Sequence, residues 1–235
     1  MFEHTFNGDF SKKMAKSNYN IEKLDEDLII LKERLLVLDG ARKEMSKGFK
    51  IVLDSLVKAF PKIDRNDPNL LDSHNRMARA LIEVCSGLGV NEKDIFSTTF
   101  PADNYDEVII LKDIDFNSLC GHHFFPFTGK AHVGYLPDTT TGSESKVVGL
   151  SKLARIVDAH AQRPQLQERL CFSIKEDIEN ALKPAGVMVV IEAQHGCLTC
   201  RGAKKANATM VTSSLSGSFK SNSKLRQEFL ELIKG

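Results

Sequence analysis

Residues 107–123 read Glu-Val-Ile-Ile-Leu-Lys-Asp-Ile-Asp-Phe-Asn-Ser-Leu-Cys-Gly-His-His. The first ten are rich in β-branched residues and partly alternate, with Val108, Ile110, Lys112 and Ile114 sharing one parity. That pattern predicts a strand over Glu107–Phe116 that delivers Cys120 at its end. Past the strand stand Cys120, His122 and His123, and a second stretch, His195-Gly196-Cys197, follows the apolar strand predicted at Val187–Ala193. Soft sulfur and borderline imidazole nitrogen are the donors Zn²⁺ prefers, and three protein ligands leave a fourth position for water. Such a metal lowers the pKa of bound water from ~15.7 to roughly 7. Cys120, His123 and Cys197 are the candidate ligands, and His122 and His195 are left as acid–base groups suited to proton transfer near neutral pH. Taken singly, each cysteine reads as a small buried hydrophobe. Histidines adjoining both cysteines turn the pair towards metal binding. Cys200 is a weaker fourth donor that would close the site and make it structural. His132 in the alternating strand, and His160 at the surface, are read as structural histidines.

Working outward, a second strand is predicted at Gly129–Tyr135, followed by a polar loop over 138–146. Helices are expected at 149–162 and 164–183, separated at Pro164 and closed by Pro184-Ala185-Gly186. A Thr/Ser-rich strand follows at Asn207–Leu215, then a last amphipathic helix carrying Leu225, Phe229, Leu232 and Ile233. Towards the N-terminus, Leu24, Leu28, Leu31, Leu35 and Leu38 alternate spacings of four and three, which puts them on one helix face. For so few heptads this is taken as a helix docked on its own domain, with an oligomer contact as the other reading. Further helices are predicted at Phe49–Phe60 and at about Leu70–Cys85, with a turn at Asp64–Pro68 and a loop over 90–104. The expected fold class is α+β, with strands split around a helix pair. The domain reading is a flexible N-terminus at 1–20, a helical arm at 21–62 and a catalytic domain at 63–235.

Hydrophobic content of 42% and charged content of 27% are ordinary for a globular chain, and 235 residues suffice for a sizeable core. A formal charge of +1 argues against a nucleic-acid footprint, so any anion must be met locally. Five scattered cysteines are no disulfide framework and point to a cytoplasmic chain. No apolar run approaches the ~18 residues a membrane span needs, and residues 1–20 carry no signal-peptide core.

Gly149-Leu150-Ser151-Lys152-Leu153-Ala154-Arg155 opens a predicted helix, so Ser151 and Lys152 lie where unpaired N–H groups and the helix dipole favour anions. Lys152 and Arg155 share a face, Arg201 follows Cys197 closely, and Arg76 and Arg79 share a face of another helix. Lys152, Arg155 and Arg201 together suit a polyphosphate; for Arg76 and Arg79 a solvated surface fits nearly as well. No Walker A loop is present. Glu168, near the start of the next helix, reads either as a dipole-friendly surface acid or as a carboxylate accepting the N1 and N2 hydrogens of guanine.

These motifs, in this order, make the chain resemble GTP cyclohydrolase I from about Asp67 onward. The resemblance rests on Cys-x-His-His-x-x-Pro-Phe-x-Gly-Lys at 120–130, Gly-Leu-Ser-Lys-Leu-Ala-Arg-Ile-Val at 149–157, Gln-x-Gln-Glu-Arg-Leu at 165–170, and His-x-Cys-x-x-x-Arg-Gly at 195–202. It implies the tunnelling fold, an antiparallel sheet with paired helices, assembled as a toroidal homodecamer with active sites at subunit interfaces. It implies conversion of GTP and water to 7,8-dihydroneopterin triphosphate and formate, the first step of pterin synthesis for folate or biopterin. By the same resemblance Cys120, His123 and Cys197 hold Zn²⁺, His122 and His195 move protons, and Ser151 assists the ribose rearrangement. Glu168 holds the guanine edge, and Lys152, Arg155, Arg201, Arg76 and Arg79 hold the triphosphate. The chain departs from the family pattern at Gly121, where glutamate is usual, at Ser73-His74, where Thr-Pro is usual, and in a longer 138–146 loop. These departures leave a second reading, a diverged paralogue of low or partial activity that binds or regulates within a mixed oligomer.

Overall fold

The computed structural model describes residues 21–103, 105–140 and 145–234, with side chains from residue 29 onward. Its contacts divide the chain into one unit ending at Ile82 and another spanning Glu83–Gly235.

In the first unit a single helix, α1 (Ile21–Ala59), replaces the two helices expected there. No proline interrupts it, and Gly40 and Gly48 each cost only about 1 kcal/mol of propensity, too little to break a helix rich in Leu, Lys and Glu. Local ion pairs run along it, Asp39 with Arg42 and Lys43 at 2.7 and 2.6 Å, and Lys50 with Asp54 at 3.2 Å. Leu24 and Leu28 of the predicted seam lie outside the described side chains, whereas Leu31, Leu35 and Leu38 are 53, 57 and 47% exposed. The described part of the seam is therefore not buried. Pro61 follows the helix, and Asp64 makes the predicted turn by accepting the Asn66 N–H at 2.8 Å. The next helix, α2 (Ser73–Val84), begins later than expected because residues 70–72 remain in that turn.

The second unit is built on a five-stranded sheet of β2 (Ile109–Cys120), β3 (Pro126–Leu136), β5 (Pro164–Gln165), β6 (Gly186–His195) and β7 (Met210–Leu215). The order is β5-β2-β3-β6-β7, with β5 parallel to β2 and the other neighbours antiparallel. The region expected as loop over 90–104 instead holds α3 (Glu92–Ile95) and β1 (Phe100–Pro101), which pairs with β4 (Lys146–Val147). Helices α4 (Leu150–Ala161) and α5 (Gln167–Leu182) cover one face of the sheet. Short helices α6 (Gly196–Thr199) and α7 (Ser218–Ser221) precede the terminal α8 (Ser223–Lys234).

Strand β6 shows why its sequence is continuously apolar. Val187, Val189, Ile191 and Ala193 join the core under α4 and α5, while Met188 and Val190 pack with Phe219 and Phe229 on the opposite face. A strand covered on both sides has no solvent parity to mark with polar residues. Gly129 is required by close approach, since a Cβ there would run into the Glu192 carbonyl of the neighbouring strand. In β2 a bulge places Lys112 and Asp113 opposite the single residue His132, with Asp113 at φ 58°. The N–H of Asp113, displaced from the ladder, donates to His132 Nδ1 at 3.2 Å. His132 is thus the hydrogen-bonded core histidine that was expected. His160 is not at the surface: it is 7% exposed, with Nε2 2.7 Å from Asp177 Oδ2. The α4–α5 packing places it there.

Candidate metal and substrate site

The β2–β3 hairpin makes one corner of the site. Strand β2 runs on past Phe116 to Cys120, whose N–H donates to Phe125 O at 2.8 Å, while Phe124 N–H returns to Cys120 O at 2.8 Å. Phe124 takes a φ of 56° to close the turn, which leaves His122 and His123 exposed at the tip. Gly121 N–H donates to Gln165 O at 2.9 Å, so the parallel β5 pins the corner from outside. From the other side β6 ends at His195, paired opposite Phe127, and α6 at once carries Cys197 inward.

Donor atoms of Cys120, His123 and Cys197 converge within 4.8 Å of one another, and the Cys120 Sγ to His123 Nδ1 distance is 4.0 Å. Thiolates about 2.3 Å from a tetrahedral Zn²⁺ lie about 3.8 Å apart, so the grouping suits one such ion with little movement. The chemistry of the donors agrees. Burial, then the neighbouring Cys120 sulfur, push the Cys197 thiol up, and the Arg201 charge pulls it down. Two facing sulfurs cannot both ionise cheaply until a cation sits between them. Cys171 is the contrasting case: it is 1% exposed, donates to Val189 O at 3.3 Å, and its thiol is pushed up to about 12 by burial. That is a core cysteine. Cys200 is exposed and turned back to the Gly196 carbonyl at 2.7 Å, and it is absent from the converging group.

The two remaining histidines differ. His122 Nδ1 lies 4.0 Å from Cys120 Sγ at the exposed tip. His195 is half-buried, stacked on Phe127 with ring centroids 4.5 Å apart and planes 3° from parallel, and its Nε2 is 2.8 Å from Gln167 Oε1. Burial pushes its pKa down and the nearby Glu168 carboxylate pushes it partly back.

Glu168 itself is exposed in the first turn of α5. That helix starts at Gln167 rather than directly after Pro164, because Pro164 and Gln165 are recruited into the sheet. Ser151 and Arg155 are exposed on α4, and Lys152 Nζ donates to the Ile95 carbonyl at 2.6 Å. In the first unit Arg76 donates to Asn69 O at 2.6 Å and Ser73 Oγ at 2.7 Å, and Arg79 lies 3.8 Å from Asp72.

Two residues were missed as site residues from the sequence. Phe127 and Gln167 are both almost wholly buried, and both contact His195. Gln167 stands inside the motif at 165–170, and its only signal was a glutamine at a helix start beside an apolar strand.

The chain matches the model of the GTP cyclohydrolase I family over residues 53–234. It is 50% identical over 193 residues to a protein of Bacillus subtilis (strain 168) named GTP cyclohydrolase 1, covering 81% of this chain and 98% of that one. Proteins of the same name from Bacillus pumilus and Thermobifida fusca are 45 and 44% identical, over 81 and 73% of this chain and 99 and 81% of theirs.

Proposed function

Because this chain belongs to the GTP cyclohydrolase I family, we propose that it converts GTP and water to 7,8-dihydroneopterin triphosphate and formate, opening a pterin pathway to folate or biopterin. The observation that carries the reading is the convergence of Cys120, His123 and Cys197 beside His122 and His195. Those three residues would hold Zn²⁺, which when bound supplies an activated water for attack on C8 of the guanine ring.

The chain's own residues do the rest. Glu168 accepts the N1 and N2 hydrogens of guanine, a pairing that favours the ionised carboxylate at the exposed start of α5. Lys152, Arg155 and Arg201 hold the triphosphate, aided by the unpaired N–H groups that open α4. Arg76 and Arg79 join this set by resemblance. His122 and His195 carry protons as the imidazole ring opens and formate leaves, the task imidazole serves in general acid–base catalysis. Ser151, at the N-terminus of α4, assists the later rearrangement of the ribose. The assembly proposed is a homodecamer with sites at subunit interfaces, which suits a site whose Ser151, Arg155, Glu168 and Arg201 are all exposed in a single chain. Among the described residues no helix is long and apolar enough to cross a membrane.

A regulatory subunit of poor activity is not favoured, because the full donor set and both histidines are present. The test is incubation of the zinc-loaded protein with GTP, with formate and oxidised-pterin fluorescence measured in parallel. Equal yields of both are expected. Formate without pterin would mean that the reaction stops after ring opening, and neither product would overturn the reading.

A further inference from the structure

Gln167 is a fully polar side chain, 1% exposed, placed in the first turn of α5 beneath the ends of two strands. Its Nε2 lies 3.0 Å from Ile191 O on β6, 3.0 Å from Met210 O on β7, and 3.2 Å from Thr212 Oγ1. The two carbonyls can only accept hydrogen bonds, so the amide nitrogen must be the group that faces them. Turning the amide over would set Oε1 against two carbonyl oxygens, acceptor facing acceptor with no proton between them. The orientation of the Gln167 amide is therefore fixed by the backbone of the sheet. Its oxygen, Oε1, then points at His195 Nε2 from 2.8 Å.

That contact has one consequence for the imidazole. An amide oxygen carries no proton, so a hydrogen bond here requires the proton on Nε2. The Phe127 ring fixes the plane of the same imidazole by parallel stacking at 4.5 Å. One partner sets the plane and the other sets the tautomer. We infer that Gln167 is a positioning residue that holds His195 in the Nε2–H form, so that the lone pair available to the reaction is the one on Nδ1. Gln167 Oε1 only accepts, and it has no basic site to remove the Nε2 proton, so proton traffic is confined to Nδ1. The first turn of α5 thereby serves two purposes, with exposed Glu168 available to substrate and buried Gln167 facing inward to the histidine.

The inference rests on the reading that His195 carries a proton in the proposed reaction. Its test separates the two. Full-length, zinc-loaded protein is prepared with ¹⁵N-labelled histidine and studied by ¹⁵N spectroscopy under conditions where the ring is neutral, with His195 identified by the signals lost in His195→Asn. Protonated and bare ring nitrogens resonate far apart, so the tautomer is read directly. The expected result is a proton on Nε2, and a proton on Nδ1 overturns the inference. In Gln167→Met the Nε2–H preference should be lost and kcat should fall about 10–100-fold, the usual cost of removing an outer-shell partner, with KM for GTP little changed. Retention of wild-type kcat, or of the Nε2–H form, in a folded Gln167→Met protein also overturns it. Should that variant fail to fold, the wild-type spectrum decides alone. A wild type that shows Nε2–H but does not turn over GTP sinks the functional reading and leaves the tautomer assignment standing.

Discussion

The metal corner and the substrate face of this site are built in opposite ways. Cys120, His123 and Cys197 are brought within 4.8 Å by a hairpin turn and a strand end, all held by backbone hydrogen bonds that owe nothing to a ligand. Ser151, Arg155 and Glu168 lie exposed on the opening turns of α4 and α5, and Arg201 lies exposed just past α6. The three donors of the corner come from one chain. The face is a set of charges that a triphosphate and, on the proposed assembly, neighbouring subunits would have to gather. Damage to the corner should therefore be close to all-or-none, and damage to the face graded.

The largest effect is expected at the corner. His123→Ala or Cys197→Ala should abolish stoichiometric zinc, one ion per subunit, and GTP turnover with it. Cys200→Ala should keep both, because an open catalytic site needs only three protein ligands and Cys200 is turned away to Gly196. Metal analysis of the purified variants checks this. Full occupancy in either ligand variant would break the contrast between corner and face.

Outside the three donors the effects separate by kind. His195→Ala should lower kcat by roughly 10²–10⁴-fold as a lost proton carrier. Lys152→Ala and Arg201→Ala should instead raise KM for GTP, since charge-assisted hydrogen bonds are worth ~1.5–3 kcal/mol each, or about ten- to hundredfold in affinity. Guanosine, lacking the triphosphate, should lose little between wild type and these two variants. Lys152 Nζ spends one of its three donors on the Ile95 carbonyl, which leaves two for a phosphate. Unchanged GTP affinity in Lys152→Ala would put the anion site elsewhere.

The same contrast explains what the sequence disclosed. Residue chemistry marks a corner built from cysteine and histidine, since so few side chains bind soft metals, and the predicted strand to Cys120 needed only to be extended. The β2, β3 and β6 strands and the α4–α5 pair were legible from periodicity because burial in the sheet imposes it. Gln167 and Phe127 were illegible as site residues because their roles depend on what lies across the sheet. A buried glutamine is polar by type and a phenylalanine is core by type, and only the register of Phe127 opposite His195 and the packing of α5 on β6 bring the two to the imidazole. His160 was misplaced for a related reason. Its partner, Asp177, is contributed by a second helix seventeen residues away, and helix pairing is not written in local spacing. The continuity of α1 went unread because the leucine spacing ends at Leu38, and Gly40 and Gly48 beyond it are glycines that a long helix tolerates.

The smallest effect, and the sharpest test of the corner, lies at Gly121. Glycine there supplies no carboxylate beside the metal donors and adds backbone freedom between Cys120 and His122. A Cβ at this position would meet only the Gln165 backbone, at 3.5 Å or more, which is ordinary contact, and the residue does not sit in the left-handed region. Glutamate, the residue usual in the family pattern, therefore starts from a Cβ that fits without moving the chain. The nearest acids earlier on β2, Asp113 and Asp115, lie seven and five residues before Cys120, about 17–23 Å at ~3.3 Å per residue, and Asp113 is engaged with Lys130 at 3.0 Å. Neither reaches the corner. Gly121→Glu should leave zinc content unchanged and raise kcat by about tenfold, the lower end of what an outer-shell partner contributes. Steady-state kinetics with metal analysis on the same preparation decides it. An unchanged or lower kcat at full zinc occupancy would mean that the corner is already organised by the Gly121–Gln165 hydrogen bond alone, and that rigid backbone, rather than a carboxylate, orients the donors in this chain.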